Sequence, residues 1–310
     1  MIFLYILIFA VSLVVLVKGA DLFLNSSEKV GLSVGLSPFV VGVVIVGVGT
    51  SFPELISSLV AVIEGFPEIV PANAVGSNIA NILVIIGISA IVARKIKSKT
   101  NLTDVEIPMM AIITLIFLAL AYDGKISKFD SLVLVISFVL YLVYSIFNKP
   151  DETKKEKIEK PKLSKKDFIF LALGLLGLVF GSKYLIDSVV SLSEILNIAP
   201  GVISVVAVAF GTSLPELLVS VKAAMKGSPE VALGNVFGSN AFNLLMVVGL
   251  PGLFSALPLD PVTLGLALPT LLIVTFVFII SCLSNIIHKW EGFMYLILYI
   301  IFIGKVFGFL

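Results

Sequence analysis

Long apolar runs separated by short polar breaks pattern the chain from end to end. Runs long enough for a helix to cross a bilayer fall at about 2–24, 38–63, 70–93, 105–122 and 130–147, and again at about 167–187, 199–225, 231–256, 262–283 and 290–309. This pattern predicts an all-α membrane protein with ten transmembrane helices in two sets of five. Between the sets lies a Lys/Glu-rich stretch, 148–166, with Pro150 and Pro161, which reads as a solvated connector between a first unit, 1–147, and a second, 167–310.

The two sets are copies. At a constant offset of 162 residues, Gly19 falls on Gly181, Pro38 on Pro200, Glu54 on Glu216, Gly65-x-Pro67-Glu68 on Gly227-x-Pro229-Glu230, and Gly76-Ser77-Asn78 on Gly238-Ser239-Asn240. Close to half the positions from 43 to 88 match their counterparts, more than shared hydrophobicity gives. Each copy has an odd number of spans, so the second enters the membrane from the opposite side and the two form inverted five-helix repeats. Pro53 and Pro215 break helices 2 and 7, because neither has an N–H for the carbonyl one turn back, at Gly49 or Gly211. Irregular backbone at bilayer depth is tolerated where it is buried in protein or lines a wet cavity, so the freed carbonyls are expected to face a site.

Composition agrees with the pattern: of 310 residues 59% are hydrophobic and 13% charged, with a mean hydropathy of +1.16. The N-terminal run from Ile2 to Val17 lacks the basic lead of a signal peptide and reads as a retained first span. Cys282, the one cysteine, excludes an intrachain disulfide and reads as a packing residue. Net charge is only +1, but its distribution is informative. Lys29, Arg94, Lys95, Lys97, Lys99, the connector lysines, Lys226 and Lys289 fall on one side, against chiefly Lys125, Lys128 and Lys305 on the other. The positive-inside rule makes the rich side cytoplasmic and leaves both termini outside. Trp290, Tyr295 and Tyr299 are candidate interfacial anchors, lipid-facing packing being the alternative.

The candidate chemistry lies in Gly49-Thr50-Ser51-Phe52-Pro53-Glu54 and its copy Gly211-Thr212-Ser213-Leu214-Pro215-Glu216. A charge at bilayer depth costs roughly 2.5 to 3.5 kcal/mol, and the duplication, with no Lys or Arg between 38 and 63, weighs against a glutamate that merely snorkels or pairs with a base. Helical spacing puts Gly47, Thr50 or Ser51, Glu54 and Ser58 on one face, and Ala209, Thr212 or Ser213, Glu216 and Ser220 on the matching one. Only oxygen is on offer, which suits a hard cation such as Ca2+ or Na+. Asn73, Ser77 and Asn81, and likewise Asn235, Ser239 and Asn243, recur every fourth residue; ordinary helix-packing glue explains such residues alone, and duplication beside the glutamates favours ligation. Asp21, Glu28, Glu106, Asp123 and Asp187 sit at span ends, where a solvated or capping role is the default. Glu68 and Glu230 read as loop residues that start the next helix, and His288 as solvated.

At these residues the chain resembles the cation/calcium exchanger superfamily, in its sodium/calcium exchanger branch. The two Gly-Thr-Ser-x-Pro-Glu segments, with Gly76-Ser77-Asn78-Ile79-Ala80-Asn81 and Gly238-Ser239-Asn240-Ala241-Phe242-Asn243, look like that family's two alpha repeats. The resemblance implies clustered cation sites with ligands at Gly47 and Ala209 through backbone carbonyls, and at Thr50, Ser51, Glu54, Ser77, Asn81, Thr212, Ser213, Glu216, Ser239 and Asn243. It also implies sliding of the first and sixth helices during alternating access, and exchange of three Na+ for one Ca2+. Asn243 stands where some relatives, including potassium-dependent exchangers, carry aspartate, which argues against potassium co-transport and unsettles the sodium count.

The sequence thus points to a secondary antiporter of Na+ and Ca2+. Ca2+/H+ exchange through the same glutamates is the near rival, and a passive channel with the same ligands a more distant one. An enzyme is disfavoured, since the chain has no His-Glu-x-x-His, no Ser/His pair of catalytic type and no nucleotide-binding loop. No cofactor, nucleic acid or protein partner is expected. The expected setting is a monomer in a prokaryotic plasma membrane, its 148–166 connector cytoplasmic.

Overall fold

The computed structural model describes residues 2–98, 106–147, 161–195 and 213–309. Among these residues the chain forms ten helical stretches: α1 Ile2–Ser33, α2 Pro38–Ile63 and α3 Ile69–Val92, α4 Glu106–Ala121, α5 Lys128–Phe147, α6 Lys165–Ile195, α7 Leu214–Met225, α8 Pro229–Gly252 and α9 Thr263–Leu283, and α10 Lys289–Val306. Among the described residues six helices are long and apolar enough to cross a membrane: α1, α2, α3, α5, α8 and α9. The upstream part of the seventh predicted span, with Ala209 and Thr212, lies outside the described residues.

Capping sets several helix starts. At α5 the backbone N–H of Ser127 donates to Asp130 while that of Asp130 donates to the Ser127 hydroxyl. At α6 the Ser164 N–H donates to Asp167 at 2.7 Å, which starts the helix at Lys165, two residues ahead of the expected 167. His288 is exposed, as expected, and its backbone N–H donates to Glu291 where it caps α10. Helix α1 runs nine residues past its expected end because Ser26, Ser27 and Gly31 are buried against neighbours.

Helix α2 bends twice. Ser37 caps it, Pro38 opens it, and a π-helical turn occupies Val41–Gly47. It breaks at Ser51 (φ −88°, ψ 7°) and restarts at Phe52 with Pro53 in the first turn. Ser213 has nearly the same dihedrals (φ −90°, ψ 2°) ahead of Leu214-Pro215, so α7 starts on a matching break. Further π-helical turns start at Asn81 and at Asn243, which are again 162 residues apart.

Two short antiparallel ribbons carry the same offset. Strand β1 Lys95–Lys97 pairs with β4 Ile286–His288, and β2 Lys125–Ile126 pairs with β3 Leu257–Pro258. The pairs Lys125 with Pro258 and Ile126 with Leu257 map by the repeat offset onto Ile287 with Ile96 and His288 with Lys95, and both of those pairs occur. One ribbon is therefore a copy of the other, built with the roles of the halves exchanged.

Helices α1 and α6 pack backbone to backbone on glycine. A Cβ on Gly19 would lie 2.9 Å from the Gly177 carbonyl carbon, and one on Gly174 2.8 Å from the Phe23 Cα. Helix α1 is also pinned to α7, because Asp21 pairs with Lys222 at 2.7 Å and Lys226 at 3.3 Å. Asp21 is thus an interhelical partner and not a solvated span end. Asp21→Asn is expected to lower the stability of the purified protein by about 1 kcal/mol, read as a fall in melting temperature. Lys222→Met added to it should restore part of the loss.

The core lies in α3 and α8. Every residue of α8 from Glu230 to Phe242 is buried, and α2 meets this helix along Gly42, Gly47, Gly234 and Gly238. Cys282 is buried and unpaired, as expected of a packing residue. Tyr295 is not an interfacial anchor: it is 2% exposed and its hydroxyl donates to Ser281. Trp290 is exposed, with the Lys289 ammonium over its ring.

Candidate functional site

The break in α2 and the start of α7 bring polar groups of both halves together. Glu54 and Glu216 are each 1% exposed. The Ser51 hydroxyl donates to Glu216 Oε1 at 2.9 Å, bridging residues 165 apart in sequence. Next to Ser51 in the chain, Thr50 Oγ1 shares its one hydrogen between the Val46 carbonyl at 3.0 Å and Asn235 Oδ1 at 3.2 Å. Asn235 in turn donates to Ser220 Oγ at 2.7 Å and to the Glu216 carbonyl at 3.3 Å, while Ser239 Oγ donates to the Gly47 carbonyl at 3.2 Å. One network therefore holds Gly47, Thr50, Ser51, Glu216 and Ser239, five of the residues that the sequence nominated.

Asn235 is the hub of that network, and the sequence reading left it outside the ligand set. Its place in the Asn235, Ser239, Asn243 spacing was the available signal. A second pair, Asn78 and Asn240, joins α3 to α8: Asn78 Nδ2 donates to the Asn240 carbonyl at 3.0 Å, and Asn81 Nδ2 to Asn240 Oδ1 at 3.1 Å. Asn78 and Asn240 are equivalent positions of the two repeats, and equivalent positions touch where an axis relating the repeats passes.

The asparagine bonds aim oxygen inward. Asn81 Oδ1, Asn243 Oδ1 and Glu216 Oε2 are buried and have no hydrogen-bond partner among the described residues, an arrangement that buried polar atoms adopt when something else completes them. The turn starting at Asn81 packs on α7, and the one starting at Asn243 packs on the half of α2 that carries Glu54. Ser77 and Ser213 stand on the wall of a cavity of about 260 Å3, with Asn73, Tyr299 and Asp260. At its rim, burial pushes the Asp260 carboxyl up, but bonds from Thr263 and from the backbone N–H of Thr263 and Val262 outweigh it and hold the group below the usual carboxylate range. The rim thus carries a negative charge at neutral pH.

Chemically, the site offers carboxylate, hydroxyl, amide and carbonyl oxygen. Among the described residues no three His, Cys, Asp or Glu side chains cluster as a metal group. That donor set fits hard cations held by a few charges and many neutral oxygens. Ser239 and the Gly47 carbonyl, both candidate ligands, are bonded to each other.

Fold and site together define a multi-pass membrane protein built around a buried, oxygen-only polar centre. The chain matches the family model for sodium/calcium exchanger protein over residues 4–147 and 166–308. It belongs to that family. It is 32% identical to the uncharacterized membrane protein MJ0091 of Methanocaldococcus jannaschii, covering 96% of both chains. It is 30% identical to the sodium/calcium exchanger MaX1 of Methanosarcina acetivorans, over 97% of this chain and 98% of that one. Among solved structures, the sodium-calcium exchanger NCX_Mj soaked with zero Na+ and Ca2+ superposes with a TM-score of 0.85 at 32% identity, covering 99% of this chain and all of that one.

Proposed function

We propose that the protein is a secondary antiporter that moves Na+ down its gradient and Ca2+ against its own, exposing one buried site alternately to each face of the membrane. Glu54 and Glu216 supply the charge. Gly47, Thr50, Ser51, Ser77, Asn81, Ala209, Thr212, Ser213, Ser239 and Asn243 supply neutral oxygens around them.

The carrying observation is the Ser51 to Glu216 bond across the repeats, with both glutamates out of solvent. A carboxylate so deeply buried needs a compensating cation, and among the described residues no Lys or Arg pairs with Glu216. Two carboxylates in one poorly solvated site repel each other, so Ca2+, Na+ and H+ compete to neutralise them. Membership of the sodium/calcium exchanger family, and the name of NCX_Mj and its soaking with Na+ and Ca2+, support Na+ and Ca2+ as the pair. Alternating access is by sliding of the first and sixth helices across the core that the rest of the repeats 1–147 and 167–310 forms; the connector 148–166 is cytoplasmic, both termini lie outside and the monomer is the working unit.

Proteoliposomes loaded with Ca2+ test the coupling. An imposed sodium gradient is expected to drive Ca2+ release, and release that ignores sodium overturns the proposal. Ca2+ movement driven by a pH gradient without sodium selects proton exchange, and current that persists without a counter-ion selects a channel.

A further inference from the structure

Glu106 is a further carboxylate that the structure buries, outside the pair Glu54 and Glu216 and without an evident role. The repeat offset puts Leu268 at its equivalent position, so it is no part of the duplicated constellation. It is 6% exposed, and its Oε2 is buried with no hydrogen-bond partner among the described residues. It lines a small cavity between α4, α5 and α8 with room of about 10 Å3 for the centre of a water molecule. Asn240 lines the same cavity, is 2% exposed, and its Nδ2 is likewise buried and unpartnered. Two opposite requirements, an acceptor and a donor, meet across a space that takes one water.

The other end of Asn240 is occupied. Its Oδ1 accepts from Asn81 Nδ2, which leaves Asn81 Oδ1 unpartnered for a cation. Turning Asn240 over would set two amide donors against each other. We propose that Glu106 is a positioning residue: through one water in this cavity it fixes the Asn240 amide, which holds Asn81 with its carbonyl oxygen toward the transported ion. The cavity suits water better than a second metal ion, because an N–H donor points into it and it has a single carboxylate. Of the titratable groups on elements packed against α4, Tyr141 of α5 is the one on the cavity wall; α8 brings Phe237, Asn240, Ala241 and Leu244, α9 brings none, and Lys125 of β2 is exposed beyond the far end of α4.

Charge decides the relay. The carboxylate can only accept, so it orients the water with its oxygen toward Asn240. A protonated or amide side chain donates or accepts equally well and leaves the water, and thus Asn240, without a unique orientation. Protonation of Glu106 should therefore weaken cation binding at Asn81. The inference rests on the exchange reading above and adds a residue outside its ligand set.

The test is the Ca2+ concentration that half-saturates sodium-driven flux, measured across pH for the parent and Glu106→Gln in liposomes. The variant is expected to need about tenfold more Ca2+ at alkaline pH, the size of effect that removing such an outer partner of a metal ligand has. Its ratio to the parent should fall toward one as acid protonates Glu106 in the parent. A ratio that stays constant with pH, or equals one throughout, overturns the inference. A parent without sodium-coupled flux overturns the exchange reading instead. The infrared difference spectrum on adding Ca2+ then decides the role of Glu106 by itself: a carboxyl band that shifts with Ca2+ and is missing in Glu106→Gln supports it, and an identical spectrum in the variant overturns it.

Discussion

Glu216→Gln is expected to abolish sodium-driven Ca2+ flux, lowering it at least about 100-fold, which corresponds to roughly 3 kcal/mol. Glutamine keeps the volume, so the packing around a residue 1% exposed survives. Two things change. The bond from Ser51 to Oε1, at 2.9 Å, drops from charge-assisted to neutral, which costs about 1 kcal/mol. The larger loss is the charge itself, because a divalent ion taken from water into a buried site is stabilised there chiefly by the carboxylates. Glu54→Gln is expected to act alike from the other half. Flux and Ca2+ binding measured together separate a lost site from a lost fold, since the variants should stay monodisperse and melt near the parent temperature. Unchanged transport in both would leave the buried pair without a function.

Much of this was readable in the chain itself. The duplicated Pro-Glu segments placed two carboxylates at bilayer depth, and the structure buries both. The break was expected from proline; in α2 it falls at Ser51, the residue before the restart, and α7 likewise starts after Ser213, because proline fits the first turn of a new helix better than the interior of an old one. The π-helical turns at Asn81 and Asn243 left no trace in the hydrophobic period, since one extra residue in a turn does not interrupt an apolar run.

Glu106 shows what a one-dimensional reading leaves out. It stands at the end of an apolar run, where solvent is the default, yet neighbouring helices cover it. Nothing local in the sequence reports which end of a span is covered by another. Asp21 escaped the same way, its partners Lys222 and Lys226 lying some 200 residues further on. Asn235 was visible by its spacing, but its role as hub depends on Thr50 reaching it from the other repeat.

The glycine seam between α2 and α8 carries the second large expectation. Gly42→Ala should destabilise the protein by about 2–3 kcal/mol, or lower its folded yield, and should also reduce flux. A Cβ at Gly42 would lie 2.6 Å from the Val231 carbonyl oxygen and 2.9 Å from the Gly234 Cα, both backbone atoms that no rotamer change can move aside. The helices must separate instead. That separation reaches the site, because Gly47, five residues on, accepts from Ser239 of α8, and Thr50 donates to Asn235 of the same helix. Gly265→Ala in α9 provides the contrast, since a Cβ there meets nothing within 4 Å. With no clash to offset it, the better helix propensity of alanine should raise stability by up to about 1 kcal/mol. Melting curves of the two variants should therefore move in opposite directions from the parent. Equal shifts would mean that close backbone contact between α2 and α8 does not hold the site in register.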